Sequence, residues 1–215
     1  MKAFLFDMDG VLLDSEQIFV DSLTWYLQDQ GIREGVCQER LAKLTGMKTD
    51  AIARKIKEDF GLKKSIEELS RDMDRYFDLE LEKRDRLIPF DGLVSFLTHL
   101  KENQIPVALA SSSDREWVNR VLTDLAVWPL FDEVITGEQV EFSKPEPDIF
   151  LLAARKLGVQ ERDCVVLEDS FNGIRAGKRA GMHVIAFKAS EIMQDTAEAD
   201  EEVFSYAELD RRVFS

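Results

Sequence analysis

Four short runs, Ala3-Phe4-Leu5-Phe6, Pro106-Val107-Ala108-Leu109-Ala110, Cys164-Val165-Val166-Leu167 and Val184-Ile185-Ala186-Phe187, carry no polar side chain at all. A strand with one wet face alternates in polarity, whereas a strand that is apolar throughout is covered on both faces, as in parallel sheets. Val134-Ile135-Thr136 reads as a shorter strand. Between these runs the apolar spacing becomes helical: Leu93, Phe96, Leu97 and Leu100 behind a possible cap at Asp91, then Val118, Val121 and Leu122 behind a Ser113/Glu116 capping box. Further helices are predicted from Pro147 to before Gly158, and from Ser170 to Ala180 with Gly181 as the stop. Strand and helix in alternation predict a doubly wound, Rossmann-like parallel α/β sheet.

Residues 15–87 break that rhythm and read as helix almost throughout. Ile18, Leu23, Trp25, Tyr26 and Leu27 share a helical stretch ending at Gly31. Thr49 can start a helix reaching Phe60, and Ser65-Ile66-Glu67-Glu68 has the spacing of a capping box opening a helix to about Arg84. The expected organisation is therefore a core domain of residues 1–14 and 88–215 with an all-helical insertion, a candidate cap domain, at 15–87. Phe19, Trp25 and Tyr26 are expected in the interior of that insertion.

The 215 residues carry a formal net charge of −14, which argues against nucleic acid and anionic membrane surfaces as partners. Any phosphate ligand must find local positive charge against this field. Cys37 and Cys164 set no disulfide framework, so a reducing cytoplasm is the expected location; a monomer is the expected state. No basic-then-apolar leader is evident, a strand starting at residue 2 leaves no room for one, and no apolar run approaches membrane-spanning length.

In doubly wound sheets ligands sit beyond the carboxyl ends of the strands, and four such ends here carry chemistry. Asp7-Met8-Asp9-Gly10 follows the first strand; period-two alternation puts the two acids on one side, where they repel unless a cation or a proton intervenes. A carboxylate can attack phosphorus and form an aspartyl-phosphate, and a second acid can protonate the leaving oxygen. Ser111-Ser112-Ser113 follows the second long strand; hydroxyls and N–H groups there could hold phosphoryl oxygens, or Ser111 could serve only a helix cap. Lys144, in Ser143-Lys144-Pro145-Glu146-Pro147-Asp148, is either a surface lysine or the point charge that steadies a phosphoryl group. Glu168-Asp169, with no basic neighbour before Arg175, suits a hard oxygen-liganded cation such as Mg²⁺ together with Asp7, with helix N-capping by Asp169 compatible with that role. The glycines Gly173 and Gly177 are expected to permit close helix–sheet packing. His99 and His183 stand apart as a helix-face and a turn residue. There is no Ser/His/Asp set, Walker loop or zinc spacing.

With these motifs in order, Asp7-Met8-Asp9-Gly10-Val11, Ser111, Lys144-Pro145-Glu146-Pro147-Asp148 and Glu168-Asp169-Ser170, the chain resembles the haloacid dehalogenase superfamily phosphohydrolases. The similar branch is the one that includes beta-phosphoglucomutase and phosphoglycolate phosphatase, and residues 199–209 are similar to the family's closing segment. The resemblance implies Asp7 as nucleophile and metal ligand, and Asp9 as acid/base with its backbone carbonyl on Mg²⁺. It also implies Ser111, Ser112 and Lys144 as phosphoryl ligands, Asp169 and Glu168 as metal residues, and 15–87 as a cap selecting the leaving group.

Departures fall in the insertion. Phe19 stands where beta-phosphoglucomutases carry histidine, and Leu44-Thr45-Gly46-Met47-Lys48-Thr49 has Thr45 and Thr49 where that pattern has lysine and arginine. A mutase must grip a second phosphate, so hydrolysis of a small phosphorylated metabolite, such as a sugar phosphate, leads over a sugar phosphomutase. A non-catalytic metabolite-binding protein on the same fold is the third possibility, and an intact set of acids and lysine speaks against it.

Overall fold

The computed structural model describes residues 3–44, 49–84, 86–190 and 194–214. In chain order the elements are β1 (Ala3–Phe6), α1 (Ser15–Asp29), α2 (Gln38–Ala42), α3 (Thr49–Phe60), α4 (Ile66–Glu82), α5 (Leu93–Glu102), β2 (Val107–Ala110), α6 (Arg115–Asp124), β3 (Glu133–Ile135), α7 (Asp148–Leu157), β4 (Cys164–Glu168), α8 (Phe171–Arg179), β5 (His183–Phe187), β6 (Glu201–Val203) and α9 (Tyr206–Phe214). They divide into two units, Met1–Asp14 with Arg86–Ser215, and Ser15–Asp85.

The first unit is a six-stranded sheet in the order β3-β2-β1-β4-β5-β6, parallel throughout. The four apolar runs occupy its centre because both of their faces are covered. On one face Ala3, Leu5, Ala108, Val166 and Val184 pack against Ile149, Phe150, Ala153 and Ile174 of α7 and α8. On the other, Phe4 meets Phe96 of α5 edge-on at 5.5 Å, and Phe187 lies 4.6 Å from Tyr206 of α9. Each buried Val, Leu, Ile or Phe among them contributes about 1.5–3 kcal/mol of hydrophobic stabilisation relative to exposure. β1 pairs with β2 on one side and β4 on the other, and the connections reverse direction across it. A crevice opens at such a switch point, beyond the carboxyl ends of β1 and β4.

Tyr206 braces the loop leaving β1. Its buried hydroxyl donates to the Val11 carbonyl at 2.8 Å, and burial holds the phenol well above its ordinary pKa, so it remains a donor. Tyr206→Phe leaves that carbonyl unpaired and is expected to cost about 1–2 kcal/mol, measured as a lower urea midpoint at unchanged slope.

In the second unit α1 packs on α4 and α2, and α3 on α4. Ser65 and Glu68 form the expected capping box at the start of α4. Tyr26 is buried, Tyr76 packs edge-on against both Trp25 and Tyr26, and Lys83 lies 3.4 Å above the Trp25 ring. Phe19 is half-buried on α1. Residues 45–48, which include the Thr45 departure, lie outside the described residues, while Thr49, the other departure, opens α3.

Several local expectations are corrected. Gly92, not Asp91, is the cap position of α5, with φ +86 and no side-chain bond. Asp114, not Ser113, caps α6, because the Ser113 hydroxyl is committed elsewhere. Ser170 rather than Asp169 caps α8. His183 opens β5 instead of sitting in a turn, while His99 lies on α5 and pairs with Asp210 of α9 at 2.8 Å. Among the described residues no helix is long and apolar enough to cross a membrane.

Candidate active site

Register brings the predicted strand ends together. Phe6 faces Leu109 of β2 and Leu167 of β4, so Asp7 leaves the sheet level with Ala110, one residue before Ser111, and with Glu168. The Asp7 N–H donates to the Leu167 carbonyl at 2.9 Å, which continues the ladder one residue past β1. Lys144 arrives on the segment leading into α7, after which Pro147 occupies the cap position. Arg179, at the end of α8, steadies this segment by donating to the Pro145 carbonyl at 3.0 Å and to Glu146 at 2.6 Å.

Lys144 is the hub. Its amine donates to Asp7 Oδ1 at 2.5 Å and to Glu168 Oε1 at 2.7 Å, with almost no solvent exposure. Burial works to lower the lysine's pKa, but Asp7 and Glu168 together outweigh it and hold the amine above its ordinary value. For Asp7 the largest influence is burial, which raises the carboxyl; Lys144 pulls it down, and Glu168 and Asp9 push it up again. The net shift is upward, with burial as its largest cause.

Glu168 is wholly buried. Its Oε2 accepts from the Asp169 N–H, the Ser170 N–H and the Ser170 hydroxyl, each at 2.9 Å. Two glycines make room for these acids. A Cβ on Gly173 would fall 1.6 Å from Glu168 Oε1, and one on Gly10 would fall 1.9 Å from Asp169 Oδ2. Gly10 also has φ +74, a left-handed conformation that side chains disfavour. Gly177 does permit close packing, since its Cβ would meet Val184 at 2.7 Å, but Gly173 serves the Glu168 carboxylate instead.

Carboxylate oxygens of Asp7, Glu168 and Asp169 all lie within 4.8 Å of one another, and all three residues are buried. Three carboxylates against one ammonium leave two formal negative charges, which matches a divalent cation. Hard oxygen donors are the ligand type that Mg²⁺ takes. These residues therefore fit such an ion.

Asp9 is held by a second set of donors. β1 ends at Phe6, so Asp9 lies beyond the strand, and its charge still bears on Asp7. Ser113 Oγ donates to Asp9 Oδ2 at 2.9 Å and Trp117 Nε1 donates to Asp9 Oδ1 at 3.1 Å. Ser111 is buried at the end of β2 and its hydroxyl accepts from the Ser113 N–H at 3.1 Å. Ser112 is exposed, and its carbonyl crosses Gly137 so closely that a Cβ there would sit 2.4 Å away. Sequence reasoning missed Trp117 and assigned Ser113 to capping. A serine just ahead of a helix, four positions before a tryptophan on it, gives no sign that both address the same carboxylate.

The family model described as haloacid dehalogenase-like hydrolase matches residues 4–187. The chain belongs to this family. Its haloacid dehalogenase-like relatives include hexitol phosphatase A of Escherichia coli K12, 32% identical over 188 residues, covering 87% of this chain and 83% of that protein. A Drosophila melanogaster protein named "Probable pseudouridine-5'-phosphatase" is 32% identical over 212 residues, 95% of this chain and 90% of its own length. Among solved structures, CbbY of Rhodobacter sphaeroides in complex with phosphate superposes with a TM-score of 0.77 at 25% identity, covering 97% of this chain and 96% of that one. The α/β core is thus the Rossmann-like core of the haloacid dehalogenase-like hydrolases, and the chain is an enzyme of their phosphoric monoester hydrolase group.

Proposed function

We propose that this chain is a Mg²⁺-dependent phosphatase that hydrolyses a small phosphorylated metabolite, with sugar and sugar-alcohol phosphates as the leading class, through an aspartyl-phosphate on Asp7. The observation that carries the reading is the buried set of Asp7, Lys144, Glu168 and Asp169 at the sheet's switch point, with Asp9 separately held nearby. The phosphatase names of the relatives support it. In this reading the enzyme acts as a monomer in the cytoplasm.

Asp7 attacks phosphorus; the Asp7 oxygen–phosphorus bond forms as the ester P–O bond breaks, and the leaving oxygen takes a proton from the Asp9 carboxyl. Asp9, now ionised, removes a proton from water, whose oxygen bonds to phosphorus as the Asp7 acyl phosphate breaks. Free phosphate leaves and Asp7 is restored. Ser111 and the Ser112 N–H bind phosphoryl oxygens, and Lys144 orients Asp7 and faces the charge that develops in transfer. Asp7, Asp169, Glu168 and the Asp9 carbonyl would hold Mg²⁺, which would supply neutralisation of the acidic cluster and polarisation of the phosphoryl group. The helical unit Ser15–Asp85 takes the role of the cap that selects the leaving group.

The test is phosphate release from p-nitrophenyl phosphate and from a panel of alkyl phosphates that includes hexitol and hexose phosphates. Turnover is expected with Mg²⁺ and is expected to fall by about 10²-fold or more in excess EDTA, returning when Mg²⁺ is restored. Turnover indifferent to EDTA would remove the metal from the mechanism, and none in folded protein would remove the enzyme. Isomerised hexose phosphate without free phosphate would establish a phosphomutase instead.

A further inference from the structure

Asp9 is gripped at both oxygens from the start of α6. We propose that Trp117, together with Ser113, is a positioning residue that aims the Asp9 carboxyl at the leaving oxygen. The inference rests on the acid/base role given to Asp9 above.

The geometry supplies three arguments. First, the two donors address different oxygens, Trp117 Nε1 on Oδ1 at 3.1 Å and Ser113 Oγ on Oδ2 at 2.9 Å, which fixes both the χ rotation and the plane of the carboxyl. Secondly, the donors are themselves immobilised. The Trp117 backbone N–H donates to the Asp114 cap at 2.8 Å and the Ser113 N–H to Ser111 Oγ at 3.1 Å. Thirdly, the two donors differ in kind. An indole N–H only donates, whereas a hydroxyl donates or accepts. Oδ1 is therefore occupied in every state of Asp9, and Oδ2, beside the adaptable hydroxyl, is the oxygen through which a proton passes. A carboxyl preset in this way avoids the rotational search that costs proton transfer its rate. No such constraint on the second acid is visible from β1, which ends before Asp9 is reached.

A positioning role makes a prediction that mere support of the fold does not. An alkoxide leaves poorly and needs the proton; p-nitrophenolate leaves readily without it. Trp117→Phe keeps an aromatic ring and removes the N–H. It is expected to lower kcat/KM about tenfold or more on the alkyl phosphate turned over fastest by the wild type, and less than about threefold on p-nitrophenyl phosphate. Asp9→Ala should show the same preference more strongly, and adding Trp117→Phe to Asp9→Ala should change nothing further. Replacing Trp117 by benzothienylalanine, which keeps the fused-ring shape without the N–H, should reproduce the Phe result if the smaller ring unsettles folding. Equal losses on both substrates, no loss on either, or additive losses in the double variant would overturn the inference while leaving the phosphatase reading intact. Unaltered alkyl turnover in Asp9→Ala would overturn the acid/base role itself.

Discussion

Asp7→Asn is expected to lower phosphate monoester turnover by about 10⁴-fold or more, the scale on which loss of an attacking group is felt. The amide matches the carboxylate in shape, so packing against β4 is preserved and the Asp7 N–H to Leu167 bond is untouched. An amide oxygen can still accept from Lys144, but it cannot form a hydrolysable acyl phosphate. Because burial and neighbouring acids push Asp7 upward, removing its charge also relieves repulsion, and thermal stability should be equal to or above that of the wild type. Steady-state kinetics with a thermal melt on the same preparation decide the matter. Turnover within about tenfold of wild type would strip Asp7 of its role.

The largest effect on folding is expected at Gly173. An alanine there would put its Cβ 1.6 Å from Glu168 Oε1 and 1.9 Å from Glu168 Cδ. That carboxylate cannot move without abandoning the Asp169 N–H, both Ser170 donors and Lys144. The lysine would then face only Asp7 in a dry setting. Breaking a buried ion pair costs about 3–5 kcal/mol, and Gly173→Ala should lose that order of stability in urea unfolding, together with most of its turnover. Gly181→Ala is the matched control. It has φ +75 but nothing within 4 Å of the new Cβ, so it should cost only the left-handed penalty of about 1–2 kcal/mol. A Gly173→Ala protein as stable as Gly181→Ala would show that Glu168 is not held as described.

The central strands were legible because burial on both faces leaves one possible composition. Ala3-Phe4-Leu5-Phe6 and Cys164-Val165-Val166-Leu167 could hardly be anything else, and the acids that follow them were visible as acids out of place. β6 escaped notice because it is a three-residue edge strand in which only Val203 is buried and Glu201 and Glu202 face solvent. Capping was read by residue type, and type alone cannot say which of Ser113 and Asp114 the helix takes. Tertiary demand decides that, since Asp9 claims the serine. The role of Gly173 was out of reach for the same reason: the sequence marks a small residue, while the carboxylate that needs the space lies in another element. Lys144 was recognised as a candidate, but its grip on two acids at once is a property of the folded sheet.

Asp7 and Lys144 stand 137 positions apart, and Glu168 comes 24 positions after Lys144. On the ribosome Asp7 is therefore made well before the two residues that complete its buried cluster. A nascent chain carries Asp7 with no Lys144 amine to meet it until 137 further residues are made, and the buried set of acids and lysine exists only once β4 has emerged and paired. A fragment that stops before β4 lacks Glu168, the second acid that Lys144 holds, so the buried ion-pair set reports a sheet whose central strands are all in place.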